Sequence, residues 1–518
     1  VLGVPRAEGL EARVEEVLRA PGYQMAHWGL LVVDGRTGQT VYQKNADQMF
    51  SPASVTKLFS TAAALIDLGP DFRFRTPVVR RGEIDKEGIL HGDLILIASG
   101  DLSLGGRTGP DGSLLFKDND HSYAGGNLKS TLVPTDPLAG LDDLARQVGE
   151  AGIKAVTGDV LIDDRLFEPA TSTGSGPSRV TPIVVNDNLV DVEATPAETA
   201  GEPASVRMIP ATSFVTMDAQ VETIPEGERP WVSVRRVGPR RFQVRGRLPV
   251  GHRAVVKVYE VEEPAAFARA LFIERLRRRG VRVAASPLGA NAIESLPAHE
   301  EVAKLPRVAE YTSPKFSEFI RVILKVSQNL HASTLPLLIA AHHGERTLTE
   351  GLQREGIILK QLGVDIGTIS FGGGAGGSRV DLVTPRATVA LLRAMAQRPE
   401  FSAFEAALPV LGRDGTLAQA VAPDSPARGH ARAKTGTYWV EDGLTGKGIL
   451  TSKALAGYLE TASGRPLVFA FFLNGVPLDA PSDDISEATT AAGRLLGKLC
   501  EVFYDDADLP AQAGQGLP

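Results

Sequence analysis

Hydrophobic positions recur at helical spacing in a few stretches of this chain and at strand spacing through much of the rest. Residues 8–19 read as a helix. An extended run follows over residues 29–42, and the Asp34-Gly35 turn that interrupts it between β-branched segments is a hairpin signal. After Pro52, residues 54–68 are rich in Ala and Leu at helical spacing and stop at Gly69-Pro70, which places Ser54 at a helix start. From about 76 to 304 the texture changes to short β-like runs between Gly/Pro turns, such as 158–163 and 243–249, with one amphipathic helix over 264–279. Within it, residues 105–126 are dominated by Gly, Asp and Ser and predict an exposed loop rather than core. A second helical region over 314–343 breaks near Ser327. The last part alternates helices with strand-like runs at 431–437 and 466–473, and the polar tail from Asp506 predicts disorder.

The 518 residues are too many for one ordinary core and suggest roughly three domains at about 100–200 residues each. With 43% apolar and 23% charged residues the chain falls among soluble globular proteins, so fibrous and wholly disordered classes drop out. A net charge of -7 argues against nucleic acid as the main partner, because phosphate binding needs a positive surplus. Cys500 is the only cysteine, which excludes an intramolecular disulfide and every Cys-based zinc motif. No apolar run approaches the roughly 18–20 residues of a membrane span. The chain opens without a basic and then apolar leader, so a signal peptide is expected to be absent from it, and export has to be argued from function.

Three short motifs carry the chemistry. Ser54-Val55-Thr56-Lys57 has the form S-x-x-K, and positions three apart share a helix face, so the Lys57 amine can lie against the Ser54 hydroxyl. Serine is a weak nucleophile until a base takes its proton, and a desolvated amine near other cations is neutral enough to do so. Ser327-Gln328-Asn329 has the form S-x-N where one helical segment breaks before the next; alone it reads first as helix capping. Lys434-Thr435-Gly436-Thr437 lies in a strand-like run. Its Gly lets a ligand backbone approach an edge strand, and its Lys and Thr can hold a carboxylate. Each motif occurs by chance in a long chain, but the three together, once each and in this order, form the motif set of serine β-lactamases and penicillin-binding proteins.

The long β-rich stretch between Ser54 and Ser327 narrows the resemblance. The chain resembles the low-molecular-mass class C penicillin-binding proteins, the D-Ala-D-Ala carboxypeptidases and endopeptidases of peptidase family S13. The segments 158–164, 186–192, 408–417 and 473–475 carry the resemblance across most of the chain. Two departures stand out. Where the family reads D-G-S-G-L-S-R, this chain reads Gly373-Gly374-Ala375-Gly376-Gly377-Ser378-Arg379, which leaves substrate preference open there. The loop 105–138 is also longer than the family pattern; Asp118, Asp120 and His121 within it raise the thought of a metal, though polar loop residues are the simpler account.

The resemblance implies an α/β (α+β) penicillin-binding transpeptidase/β-lactamase-like domain from residues 1–75 and 305–518. Two inserted β-rich accessory domains would be one from 76–165 with 265–304 and another from 166–264. It implies catalysis by Ser54, Lys57, Ser327, Asn329 and Lys434 and substrate binding by Thr435, Gly436 and Thr437. The substrates would be peptidoglycan stem peptides, β-lactams would be acylating inhibitors, the setting would be extracytoplasmic, and no metal or organic cofactor would be needed. The rivals are a β-lactamase or related esterase, and a catalytically silent wall-binding scaffold against which the intact Ser54, Lys57, Ser327 and Lys434 argue. His342-His343 lacks the H-E-x-x-H form. The cluster Arg235, Arg236, Arg240, Arg241, Arg245 and Arg247 reads as a solvated hairpin face rather than a polyanion site.

Overall fold

The hairpin expected around Asp34-Gly35 forms the antiparallel strands His27–Asp34 and Thr40–Lys44 of a computed structural model that describes residues 9–481 and 485–505. The polar tail from Asp506 lies outside the described residues. The chain divides into two compact units, the first made of residues 1–70, 320–328 and 352–518.

Its sheet begins at the edge strand Ala431–Glu441 and continues through Lys447–Glu460, Pro466–Asn474 and His27–Asp34 to Thr40–Lys44, every neighbour antiparallel. Val476–Pro481 pairs with Lys447–Glu460 off this path. Seven consecutive residues of Pro466–Asn474 are buried, as a central strand covered on both faces requires. On one face Leu30, Val32, Phe469 and Phe471 pack with Val14 and Leu18 of helix Leu10–Leu18 and with Leu496 and Phe503 of helix Ser486–Tyr504. The alternate residues Leu31, Val33, Ala470 and Phe472 are equally buried on the other face, where helix Pro385–Met395 lies. This two-sided covering is the α/β architecture expected from the motif set.

The second unit comprises residues 71–319 and 329–351. A six-stranded mixed sheet draws on Arg75–Ile84, Ile89–Ile97, Ala155–Val156, Val160–Asp163, Arg282–Val283 and Arg307–Thr312. Two three-stranded sheets use only strands between Leu189 and Glu260. Helices Ala139–Glu150 and Pro264–Arg278 bury Leu141, Leu144, Phe267 and Leu271 in the core of this unit. The two accessory domains expected, 76–165 with 265–304 and 166–264, both fall within this one unit, and residues of both line one hydrophobic core. The segment 329–351, assigned from sequence to the catalytic domain, clusters with this second unit. Polar contacts join it to that unit: His331 Nε2 meets Asp187 Oδ1 at 2.9 Å, and the Ser333 and Ser172 hydroxyls are 3.0 Å apart.

The Gly-rich loop departs from expectation. Residues 105–126 are not simply an exposed loop: Leu114, Ala124, Asp120 and His121 are buried, as is Arg107. Arg107 pairs with Asp120 at 2.7 Å and with Asp187 at 2.6 Å, while His121 bridges Asp187 and Asp191 at 2.9 Å each. Burial would raise the Asp187 carboxyl, but Arg107 and His331 overturn that and hold it well below the usual carboxylate range. Burial likewise opposes protonation of His121, yet Asp191 and Asp187 push it well above the ordinary imidazole value. Composition marked the loop as polar, and mutual charge pairing is what allows it to be buried. The arginine-rich strands Trp231–Gly238 and Arg241–Pro249 form a hairpin whose cations pair locally, Arg245 with Asp218 at 2.7 Å and Arg240 with Glu263 at 3.0 Å.

Candidate active site

Ser54 sits in the single 3-10 turn Ala53–Val55 that runs directly into helix Thr56–Leu68. Ala53 takes a φ of +45°, a conformation that costs a non-glycine residue energy and is stored preferentially at functional sites. The turn is anchored from behind. Asn474 accepts the Ser51 N–H at 2.8 Å and donates to the Ser51 carbonyl at 3.1 Å, and Ser452 donates to that same carbonyl at 2.7 Å. The motif Leu473-Asn474-Gly475 thus holds the approach to Ser54.

Lys57 is fully buried, and its amine nitrogen lies 2.8 Å from the Ser54 hydroxyl and 2.7 Å from the Ala375 carbonyl. Burial, and next the Lys434 ammonium, hold Lys57 well below the ordinary lysine range, with Asp381 pulling the other way. A neutral amine against a serine hydroxyl is the arrangement a Ser/Lys nucleophile needs.

Ser327 falls between helices Phe316–Lys325 and Asn329–His342 with a φ of +63°. Its hydroxyl accepts a hydrogen bond from Lys434 Nζ at 3.0 Å. Lys434 is fully buried, and desolvation pushes it down to about 7. Lys325, two residues before Ser327, pairs with Asp414 at 2.6 Å, and Asp414 also accepts the Val410 N–H at 2.7 Å. The Asp414-Gly415-Thr416 segment therefore supports the Ser327 turn, and the Thr435 hydroxyl donates to Thr416 Oγ1 at 2.7 Å. Strand Ala431–Glu441 comes so close to the Ser54 turn that a Cβ on Gly436 would collide with the Pro52 carbonyl. Glycine is required there by a close backbone approach.

The loop that departs from the family pattern meets the site through its backbone. The Ala375 carbonyl holds Lys57, the Gly374 carbonyl accepts from Ser60 Oγ at 2.8 Å, and a Cβ on Gly376 would collide with the Ala53 carbonyl. Asp381 staples both ends of the loop, accepting from Gly372 N–H at 2.8 Å and Ser378 N–H at 2.7 Å. Burial pushes Asp381 up to about 6 despite these bonds and the nearby Lys57 charge. Behind it, Glu355 is buried with neither carboxyl oxygen hydrogen-bonded; desolvation and the Asp381 charge push it up to about 8.

Seven of the eight residues expected at the site, Ser54, Lys57, Ser327, Lys434, Thr435, Gly436 and Thr437, belong to the first unit. Asn329 belongs to the second, where its side-chain amide donates to the Ser175 carbonyl at 2.9 Å. The motif reading missed Asp381, Glu355 and Lys453. Asp381 had a weak signal in the S-R-x-D run after the glycines, and the other two had none. Asp120 and His121, weighed earlier as metal ligands, are engaged with Arg107, Ser122, Asp187 and Asp191.

The chain is similar to known proteins along most of its length. A model of the D-Ala-D-Ala carboxypeptidase 3 (S13) family matches residues 10–494. A D-alanyl-D-alanine carboxypeptidase from an Actinomadura species is 30% identical over 92% of this chain and 83% of its own length. The D-alanyl-D-alanine carboxypeptidase DacB of Haemophilus influenzae is 24% identical over 86% of this chain and 85% of its own. The crystal structure of penicillin binding protein 4 (dacB) from Haemophilus influenzae superposes with a TM-score of 0.70 at 20% identity, covering 95% of this chain and 99% of that one.

Proposed function

We propose, from the premise that this chain belongs to the D-Ala-D-Ala carboxypeptidase 3 (S13) family of serine hydrolases, that it cleaves the D-Ala-D-Ala end of peptidoglycan stem peptides through an acyl-enzyme on Ser54. The observation that carries the reading is the buried, pKa-depressed Lys57 amine 2.8 Å from the Ser54 hydroxyl. Lys57 takes the Ser54 proton as the oxygen attacks the carbonyl between the two D-alanines. The backbone N–H groups of Ser54 and Thr437 hold the oxyanion, an interaction that strengthens as charge develops. Lys434 and Ser327 pass a proton to the departing amine. Asn329 binds the substrate amide, Thr435 and Thr437 hold the terminal carboxylate with Gly436 admitting the substrate backbone, and water then releases the acyl group.

The same acylation admits β-lactams as inhibitors and an endopeptidase reaction on cross-linked peptides, and a peptidoglycan substrate implies a setting outside the cytoplasm. No helix among the described residues is long and apolar enough to cross a membrane. Incubation with a fluorescent penicillin labels the wild type and leaves Ser54→Ala unlabelled; equal labelling of both proteins removes the assignment of the nucleophile.

A further inference from the structure

Beside the strand that carries the last site motif, Lys453 is a cation without an anionic partner among the described residues. It lies on strand Lys447–Glu460 directly opposite Thr437 in the antiparallel register. Directly paired residues project to the same face, so the two side chains are neighbours by construction. Lys453 Nζ donates to Thr437 Oγ1 at 2.9 Å, and no carboxylate among the described residues pairs with it. Its other strand neighbour is Leu473, which brings no charge. Gly493 of helix Ser486–Tyr504 faces the end of the lysine: a Cβ there would stand 3.3 Å from Cε and 3.4 Å from Nζ, tighter than ordinary contact. The helix therefore leaves the ammonium its space where a larger residue would press on it.

A hydroxyl has one proton to give and two lone pairs to receive with. Because Lys453 fills an acceptor site on Thr437 Oγ1, the Thr437 proton remains available for a second partner, and the ammonium keeps further donors of its own. A hydroxyl polarised by an uncompensated cation is a receptor for an anion. We propose that Lys453 is a specificity-determining residue that works with Thr437 to select substrates ending in a free carboxylate. This role rests on the assignment of Thr437 to the substrate's terminal carboxylate made above. Partial burial pushes the lysine down to about 8, so it carries its charge at neutral pH.

The test compares two short N-acylated peptides, one ending in D-Ala-D-Ala free acid and the other in the C-terminal amide, on wild type, Lys453→Met, Lys453→Gln and Lys453→Arg. Native folding of each variant is checked first by thermal melting. The measured quantity is the ratio of kcat/KM for acid over amide. We expect the ratio to fall about 10- to 100-fold in the Met and Gln variants, as loss of a charge-assisted hydrogen bond implies. The change should be carried by KM for the acid, and Lys453→Arg should restore most of it. An unchanged ratio in the folded Met and Gln variants overturns the proposal, and so do equal losses on both peptides, which would mark a structural role. A wild-type protein that cleaved neither peptide would instead overturn the functional reading, and this role with it.

Discussion

Replacing Glu355 by glutamine tests whether the carboxyl beside Asp381 is unpartnered in the folded protein. The side chain is 2% exposed, both oxygens lack a hydrogen-bond partner, and burial with the Asp381 charge pushes it up to about 8 from an ordinary value of 4.5. The sign follows from linkage. A carboxyl whose folded pKa is raised contributes stability that is fully present below its unfolded pKa and is lost as pH rises through the folded one. At about 1.4 kcal/mol per pKa unit the loss is on the order of 5 kcal/mol between pH 4.5 and pH 8. Glutamine is a close isostere of the neutral acid and does not ionise. The two proteins should therefore be similarly stable at pH 5, and Glu355→Gln should be the more stable by several kcal/mol at pH 8.5. Urea denaturation at both pH values, followed by circular dichroism, reads the difference, and other titrating groups largely cancel between the two proteins. Parallel stability profiles for wild type and variant from pH 5 to 8.5 would refute the reasoning, because the carboxyl would then be solvated or paired in the folded protein.

Two further outcomes follow from the site. Lys57→Ala should slow penicillin acylation by about 10²- to 10⁴-fold as a lost general base does, whereas Lys434→Arg, which keeps the charge beside Ser327, should retain more; stopped-flow labelling separates them. Asp414→Ala leaves the buried Lys325 ammonium without its 2.6 Å partner, and should cost about 1–3 kcal/mol in unfolding free energy and slow acylation by loosening the Ser327 turn. Acylation at the wild-type rate in that variant would mean that the turn keeps its shape without the ion pair.

Much of this architecture was legible because its elements follow local rules. The helix after Ser54 and the strand at Ala431 were readable from periodicity and from the residues that stop them, Gly69-Pro70 in the first case. The break at Ser327 was readable too, although its cause, a φ of +63°, is a backbone fact that composition does not carry. The Gly/Asp/Ser loop was misread for an instructive reason. Low hydrophobicity signals exposure only when each charge must find water, and Arg107, Asp120, His121, Asp187 and Asp191 find one another across distant stretches of sequence.

Two of the residues missed at the site, Asp381 and Lys453, share a different property: each bears on a motif residue from outside the motifs. Asp381 reaches Lys57 by fixing two backbone N–H groups of a loop whose Ala375 carbonyl then holds the amine. In that arrangement Gly373 and Ala375, where the family carries Asp and Ser, do not disturb the grip on Lys57, because the grip is made by backbone. The glycines matter instead for closeness, since a Cβ at Gly376 would strike the Ala53 carbonyl. Lys453 likewise becomes meaningful only through register, which sets it opposite Thr437 across a hairpin whose turn could have been one residue longer. Such a slip would have sent its side chain to the other face and left Thr437 with a different neighbour. A motif scan reads the atoms that do the chemistry. The charges that tune those atoms are fixed by strand register and loop closure, and these became visible only once the chain was folded.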